Sequence, residues 1–171
     1  MIRVFIVDDE MLIRQGLRSL LEMDADIVVV GEAADGEEAI RAIPEARVDV
    51  LLLDIRMPRK TGLDVLAELE RGHVLPPALV LTTFDDAELL FSAVRGGARG
   101  FLKKDVSLEE LRPGIRALAR GATWFLPART AALLQCLRLR PPPCQSAPPP
   151  QPPSGHRRRA PHPTPPGRAT P

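Results

Sequence analysis

The chain has 171 residues, 44% of them hydrophobic and 26% charged, enough for one domain of ordinary size plus an extension and too few for two full cores. No run of roughly 18 apolar residues occurs, and "MIRVFIVDDE" opens without a charged leader or apolar h-region, which reads against a membrane span or signal peptide and makes a cytoplasmic protein the expectation. The net charge of +1 hides an asymmetry: residues 1–110 carry 13 Lys+Arg and all 22 acids, a net −9, whereas residues 111–171 carry 10 Arg and no acid, so two physically different segments are joined.

"RVFIV" at Arg3–Val7 is a short β-branched and aromatic strand, and "MLIRQGLRSLLEM" after it is helical, with Leu12, Leu17, Leu20 and Leu21 expected on one face. Ile27–Val30 is a second strand, "DGEEAIRAI" a helix, and Val48–Leu53 a strand apolar on both faces. Gly62–Glu70 is helical, Ala78–Leu81 a strand, Asp86–Arg95 a helix and Phe101–Leu102 a short strand. Ser107 and Glu110 have the spacing of a capping box that opens the next helix. Pro113-Gly114 within that helix predicts a kink or a late start, because Pro removes one backbone bond and Gly costs roughly 1 kcal/mol. Five continuous apolar strands alternating with five helices predict an α/β fold with a parallel sheet covered on both faces.

Asp8-Asp9 follows the first strand, Asp54 ends the third, Thr82 ends the fourth and Lys104 follows the fifth. In a parallel sheet all carboxyl ends share one edge, so these five side chains converge on one rim. With strand order 2-1-3-4-5 the first and third strands are neighbours at the switch point, and three carboxylates share a small volume. They repel one another without a cation, and an incomplete shell of oxygen ligands suits Mg²⁺. A carboxylate so placed beside an ammonium and a hydroxyl is equipped for phosphoryl transfer, with Asp54 attacking phosphorus in line and an acyl phosphate as product.

These residues, together with "VFIVDDEMLIRQGLRSLLE", "LLLDIRMPRKTGLDVL", "LVLTTFDDAELLFSAVRGGARGFLKKD" and "IRALARGATWFLP", resemble response-regulator receiver domains of two-component signalling, and more narrowly the receivers of NarL/FixJ-type regulators, over about residues 1–127. The resemblance implies a flavodoxin-like, doubly wound five-stranded parallel sheet. It implies Asp54 as phosphoacceptor, Asp9 and Asp54 as Mg²⁺ ligands, Asp8 as a partner of the metal through water, and the Arg56 backbone carbonyl as a further ligand. Thr82 and Lys104 are implied to contact the phosphoryl group, and Thr82 with Phe101 to form the switch. Arg56 and Phe84 stand where members of this family tune acyl-phosphate lifetime. The implied partner is a histidine kinase, with pairing of receivers on phosphorylation, and the activity is that of a phosphoryl acceptor with slow self-catalysed phosphorylation and dephosphorylation rather than an enzyme. The family's frequent Pro after the lysine is Asp105 here, so the Lys104–Asp105 bond is expected to be trans.

The organisation expected is a receiver over 1–122, a partly helical linker over 123–140 with Pro127 opening a helix, and a disordered tail over 141–171, which has 13 prolines in 31 residues. Cys136 and Cys144 have neither zinc-ligand spacing nor a disulfide framework. The LuxR-type helix-turn-helix usual in NarL/FixJ regulators has no counterpart after residue 134, where no second run of amphipathic helices follows, so direct DNA binding is not expected. A frameshifted or truncated regulator gene and a stand-alone receiver with an interaction segment both account for such a tail, and its Arg/Pro/Ala bias favours the first. Two functional readings follow: a phosphoacceptor module acting through protein contacts, and a transcriptional response regulator whose DNA-binding part is truncated or replaced. A phosphatase using Asp54 as nucleophile is disfavoured, because haloacid-dehalogenase-like sites want a second Asp two residues on, where Arg56 stands.

Overall fold

The computed structural model describes residues 1–83 and 87–125. The expectations for Phe84, for the first residue of the helix at Asp86, and for the linker helix and tail fall outside those residues. The elements run β1 (Ile2–Val7), α1 (Met11–Leu21), β2 (Ile27–Ala33), α2 (Gly36–Ala42) with a 3-10 turn at Ile43–Glu45, β3 (Val50–Asp54), α3 (Gly62–Arg71), β4 (Ala78–Thr82), α4 (Ala87–Arg95), β5 (Gly100–Lys103), α5 (Leu108–Ala119) and β6 (Trp124–Phe125). All strand pairs are parallel, in the order β2-β1-β3-β4-β5-β6. The flavodoxin-like sheet and its expected order are therefore present, with one strand more than the sequence pattern indicated. Trp124 and Phe125, which the sequence reading assigned to the linker, pair with the outer edge of β5.

Both faces of the sheet are buried, as unbroken apolar strands require. On one face Val4, Ile6, Val50, Leu52, Leu79 and Leu81 pack with Leu21 of α1 and with Leu111, Ile115 and Leu118 of α5. On the other, Phe5, Leu51, Leu53, Val80 and Phe101 pack with Ala39 of α2, Val65, Leu66 and Leu69 of α3, and Leu90 and Ala93 of α4. The alternation along each strand sorts these side chains between the two layers.

Three local expectations are corrected. On α1 the four leucines do not share a face: Leu21 is buried and Leu17 packs beside it, while Leu12 and Leu20 are exposed. At about 100° per residue Leu12 lies half a turn of the helix from Leu21. The capping box opens α3 rather than α5. Thr61 accepts from the Asp64 N–H and Asp64 accepts from the Thr61 N–H at 2.8 Å, whereas Ser107 makes no side-chain cap bond and its main-chain carbonyl takes the N–H groups of Glu110 and Leu111. Finally, of the two outcomes expected at Pro113-Gly114, a kink or a late start, the late start does not occur: α5 starts at Leu108 and carries Pro113 inside it. Gly114 has a tertiary reason to be there, because a Cβ at that position would stand 2.9 Å from Cδ1 of the Trp124 ring.

Candidate functional site

The site forms where strands end. Asp54 is the last residue of β3, Thr82 the last of β4, and Asp8 and Lys104 follow directly on β1 and β5. Register makes the strands finish together: Val7 pairs with Leu53, Asp54 with Leu81 and Thr82 with Lys103. The strands bring their apolar neighbours into the two cores, which draws the polar end residues under the rim as well. Asp8 is 1% exposed, Asp54 4% and Thr82 0%, and these three are the buried polar or charged residues among those described.

Burial without a partner is costly for a carboxylate, and Lys104 supplies the partner. Its Nζ is 2.9 Å from Asp54 Oδ2, 2.8 Å from Asp8 Oδ2 and 3.5 Å from Glu10 Oε1, with the Lys104 side chain 7% exposed. The Lys104 N–H donates to the Thr82 carbonyl at 2.9 Å, which ties the β5–α5 loop to the end of β4. Burial acts to lower the lysine's pKa, but the bonds to Asp8 and Asp54 outweigh it and hold the ammonium above its ordinary value. For Asp54 the balance runs the other way. Burial raises its carboxyl above the ordinary range, against the hydrogen bond and charge of Lys104 and the Arg56 N–H, and the Asp8 charge adds to the rise.

The remaining expected residues lie at the same rim. Asp9 is exposed beside Asp8. Arg56 is exposed two residues beyond Asp54 and donates its N–H to Asp54 Oδ1 at 3.2 Å. Phe101 is 1% exposed, on β5 opposite Val80. The Lys104–Asp105 peptide is trans, as expected. Gly62, at the start of α3, lies against the main chain of β3: a Cβ there would be 2.3 Å from the Asp54 carbonyl oxygen and 2.8 Å from Ile55 Cα. The Gly62 N–H donates to the Ile55 carbonyl at 2.9 Å, so the loop carrying Arg56, Met57 and Pro58 folds back tightly on the strand that ends in Asp54.

Two residues the sequence reading did not single out belong to this rim. Glu10 joins Asp8 and Asp9 in a group of carboxylates whose oxygens lie within 4.8 Å of one another; its position directly after the acidic pair was the available signal. Arg14, on the first turn of α1, donates through Nη1 to the Asp8 main-chain carbonyl at 2.7 Å. Nothing in the sequence indicated that, since the helix pattern reads only as a core-facing stripe. An all-oxygen acidic donor set with a partly exposed side fits a hard divalent cation such as Mg²⁺.

A family model described as a response regulator receiver domain matches residues 4–116. Among curated proteins, the chain is 37% identical over 135 residues to the transcriptional regulatory protein YvfU of Bacillus subtilis (strain 168), covering 79% of this chain and 68% of that protein. It is 42% identical over 123 residues to the nitrate/nitrite response regulator protein NarP of Escherichia coli (strain K12), covering 72% of this chain and 57% of that one. The chain spans about three-fifths of the length of such relatives, 61% in the case of YxjL from Bacillus subtilis (strain 168). Among solved structures, the signal receiver domain of NarL from Mycobacterium tuberculosis superposes with a TM-score of 0.67 at 34% identity, covering 70% of this chain and 97% of that one. A LuxR-family two-component response regulator from Aurantimonas sp. SI85-9A1 gives 0.73 at 26% identity, covering 80% and 97%.

Proposed function

The chain belongs to the response-regulator receiver family, and on that premise we propose that it is the phosphoacceptor of a two-component phosphorelay, taking a phosphoryl group from a histidine kinase onto Asp54. The observation that carries this reading is the Asp54 carboxylate, 4% exposed at the end of a central strand and 2.9 Å from the Lys104 ammonium. An Asp54 oxygen attacks phosphorus, the phosphorus–nitrogen bond of a phosphohistidine breaks, the histidine nitrogen keeps the electron pair, and an acyl phosphate remains on Asp54. Lys104 and Thr82 stabilise charge on the transferring oxygens. Asp9 and Asp54, the Arg56 carbonyl and, through water, Asp8 would hold Mg²⁺, which when bound supplies further charge neutralisation to those oxygens. The same site run with water as acceptor accounts for slow self-catalysed dephosphorylation.

The acyl phosphate adds about −1.5 to −2 charge at the rim. Thr82 moves toward it and the Phe101 ring takes up the vacated space, which alters the surface formed by α4, β5 and α5. Packing alone biases this switch, because Phe lacks the hydroxyl that a Tyr would use as a latch. Incubation with Mg²⁺ and acetyl phosphate, or with a phosphorylated histidine kinase, is expected to label the chain once, and Asp54→Asn to abolish labelling; an Asn variant labelled as fast as the parent overturns the assignment.

A second reading has its own support. Curated relatives such as YxjL and YdfI of Bacillus subtilis (strain 168) are transcriptional regulatory proteins of whose length this chain spans 61% and 58%, so the receiver is also proposed as the input part of a transcriptional response regulator whose effector part is truncated or replaced.

A further inference from the structure

The Asp8 residue is held at every polar atom. Its N–H donates to the Ala33 carbonyl at 3.2 Å, Oδ1 accepts from the Glu10 N–H at 2.9 Å, Oδ2 pairs with Lys104 Nζ at 2.8 Å, and its carbonyl accepts from Arg14 Nη1 at 2.7 Å. Of these, Arg14 is the one side chain that grips the main chain of the β1–α1 turn. The guanidinium is itself oriented: Nε lies 3.6 Å from Glu32 Oε2, with the two side chains 14% and 23% exposed. Glu32 stands on β2 next to Ala33, so both ends of the clamp rest on the same strand. Arg18 of α1 also bonds Glu32 but is itself 44% exposed and pairs with Glu22 as well.

A fixed cation close to a cluster of carboxylates opposes the binding of a second cation there. Whatever Arg14 contributes to such a site must therefore come from geometry. A guanidinium can do this because its planar fork spans a carbonyl on one side and a carboxylate on the other; a lysine of equal charge has one nitrogen and cannot hold both in fixed directions. We propose that Arg14, oriented by Glu32, is a positioning residue for the acidic rim, fixing the Asp8 main chain so that the Asp8 and Asp9 carboxylates are pre-arranged for a divalent cation. This rests on the reading of Asp54 as a Mg²⁺-dependent phosphoacceptor and deepens it by naming the support on which the acidic pair depends.

The test is isothermal titration of the full chain with Mg²⁺, without any phosphodonor, on the parent and on Arg14→Lys, Arg14→Met, Glu32→Gln and Arg18→Ala, each checked for parental circular dichroism. Removing partners that orient metal ligands typically weakens binding about 10- to 100-fold. Arg14→Lys is expected at or above the lower end of that range although the charge is kept. Glu32→Gln shifts affinity the same way and less, and Arg18→Ala, which touches nothing at Asp8, leaves it within about twofold. The rate of acetyl-phosphate labelling at saturating Mg²⁺ then recovers toward the parental value in Arg14→Lys. A folded Arg14→Lys with parental Mg²⁺ affinity, or an Arg14→Met that binds more tightly, means Arg14 acts by charge alone and overturns the proposal. If Arg14→Lys fails to fold, Glu32→Gln decides by the same criterion. A parent chain that neither binds Mg²⁺ nor labels on Asp54 overturns the phosphoacceptor reading itself, an outcome separate from a parent that does both while the variants match it.

Discussion

Asp54 and Lys104 occupy one small volume, yet their contributions to stability have opposite signs. The Asp54 carboxyl is held above its ordinary value chiefly by burial. Its ionisation in the folded chain is therefore disfavoured relative to the unfolded chain. The associated stability is fully present below the unfolded pKa, about 3.9, and is lost as pH rises through the folded value. In EDTA at pH 7, Asp54→Asn is thus expected to melt at a higher temperature than the parent, with the gap narrowing as pH falls toward 4; a gap that widens in acid contradicts the cause assigned here. Lys104→Met leaves Asp8 and Asp54 buried without their ammonium, a loss of about 3 kcal/mol by analogy with broken buried pairs. Urea unfolding in EDTA checks it, and added Mg²⁺ is expected to restore part of the difference. The residue types at these positions were legible in the sequence. That one ammonium lies within 3 Å of two carboxylates was not, because the residues are separated by about 50 to 100 positions and no local pattern encodes a distance across a sheet.

At the scale of elements, glycines mark where one element is pressed against another. Gly62 has no room for a Cβ because the end of β3 lies on it. Gly62→Ala must displace main chain, with an expected cost of about 1–3 kcal/mol and a slower labelling of Asp54, since the strand end that shifts carries the carboxylate. Stability loss with an unchanged labelling rate would show that the strand end stays in place. Gly114→Ala meets a side chain instead, the Trp124 ring. It is expected to dislodge β6 while leaving Asp54 labelling intact, and because Trp124 is the single tryptophan of the chain, a red shift of its emission reports this directly. Sequence periodicity found β1 to β4 and all five helices because each spans enough residues for a period to repeat, whereas β5 was read from the two apolar residues Phe101 and Leu102 between two helical segments. It overlooked β6, placed the capping box on the wrong helix and spread α1's leucines onto one face. The first depends on a neighbour distant in sequence and the last on helical phase, while Thr61-x-x-Asp64 and Ser107-x-x-Glu110 are both local capping patterns, of which only the first closes.

At the largest scale, the doubly wound sheet gathers Asp8, Asp54, Thr82 and Lys104 at one edge and covers its faces with helices, and no helix among the described residues is long and apolar enough to cross a membrane. The division into a receiver over 1–122, a linker over 123–140 and a proline- and arginine-rich tail over 141–171 stands as a proposal from composition. The pairing of Trp124 and Phe125 with β5 carries the sheet to residue 125. Direct DNA binding is not expected, so any retardation of DNA by the basic tail should be weak, independent of sequence and lost steeply with salt. Gel-shift titration across salt concentrations measures this, and sequence-specific binding that survives physiological salt would favour the transcription-regulator reading. Phosphorylation by acetyl phosphate is expected to promote pairing of chains, read as an increase in mass by light scattering that Asp54→Asn lacks.

The sequence by itself determined the class of fold and, given a parallel sheet, the gathering of Asp8, Asp9, Asp54, Thr82 and Lys104 at one edge, because apolar periodicity and the rule that parallel strands end on one edge are short-range or topological facts; the strand order came only as what the family resemblance implies, and the strand pairings fix it. Tertiary structure alone decided that Lys104 bridges two buried carboxylates, that Glu10 joins them, that Arg14 grips the Asp8 carbonyl and that Trp124 closes over Gly114. These are contacts between surfaces that come together only after the elements pack, and their geometry is set by side-chain volumes and directions on both sides rather than by the pattern of either segment.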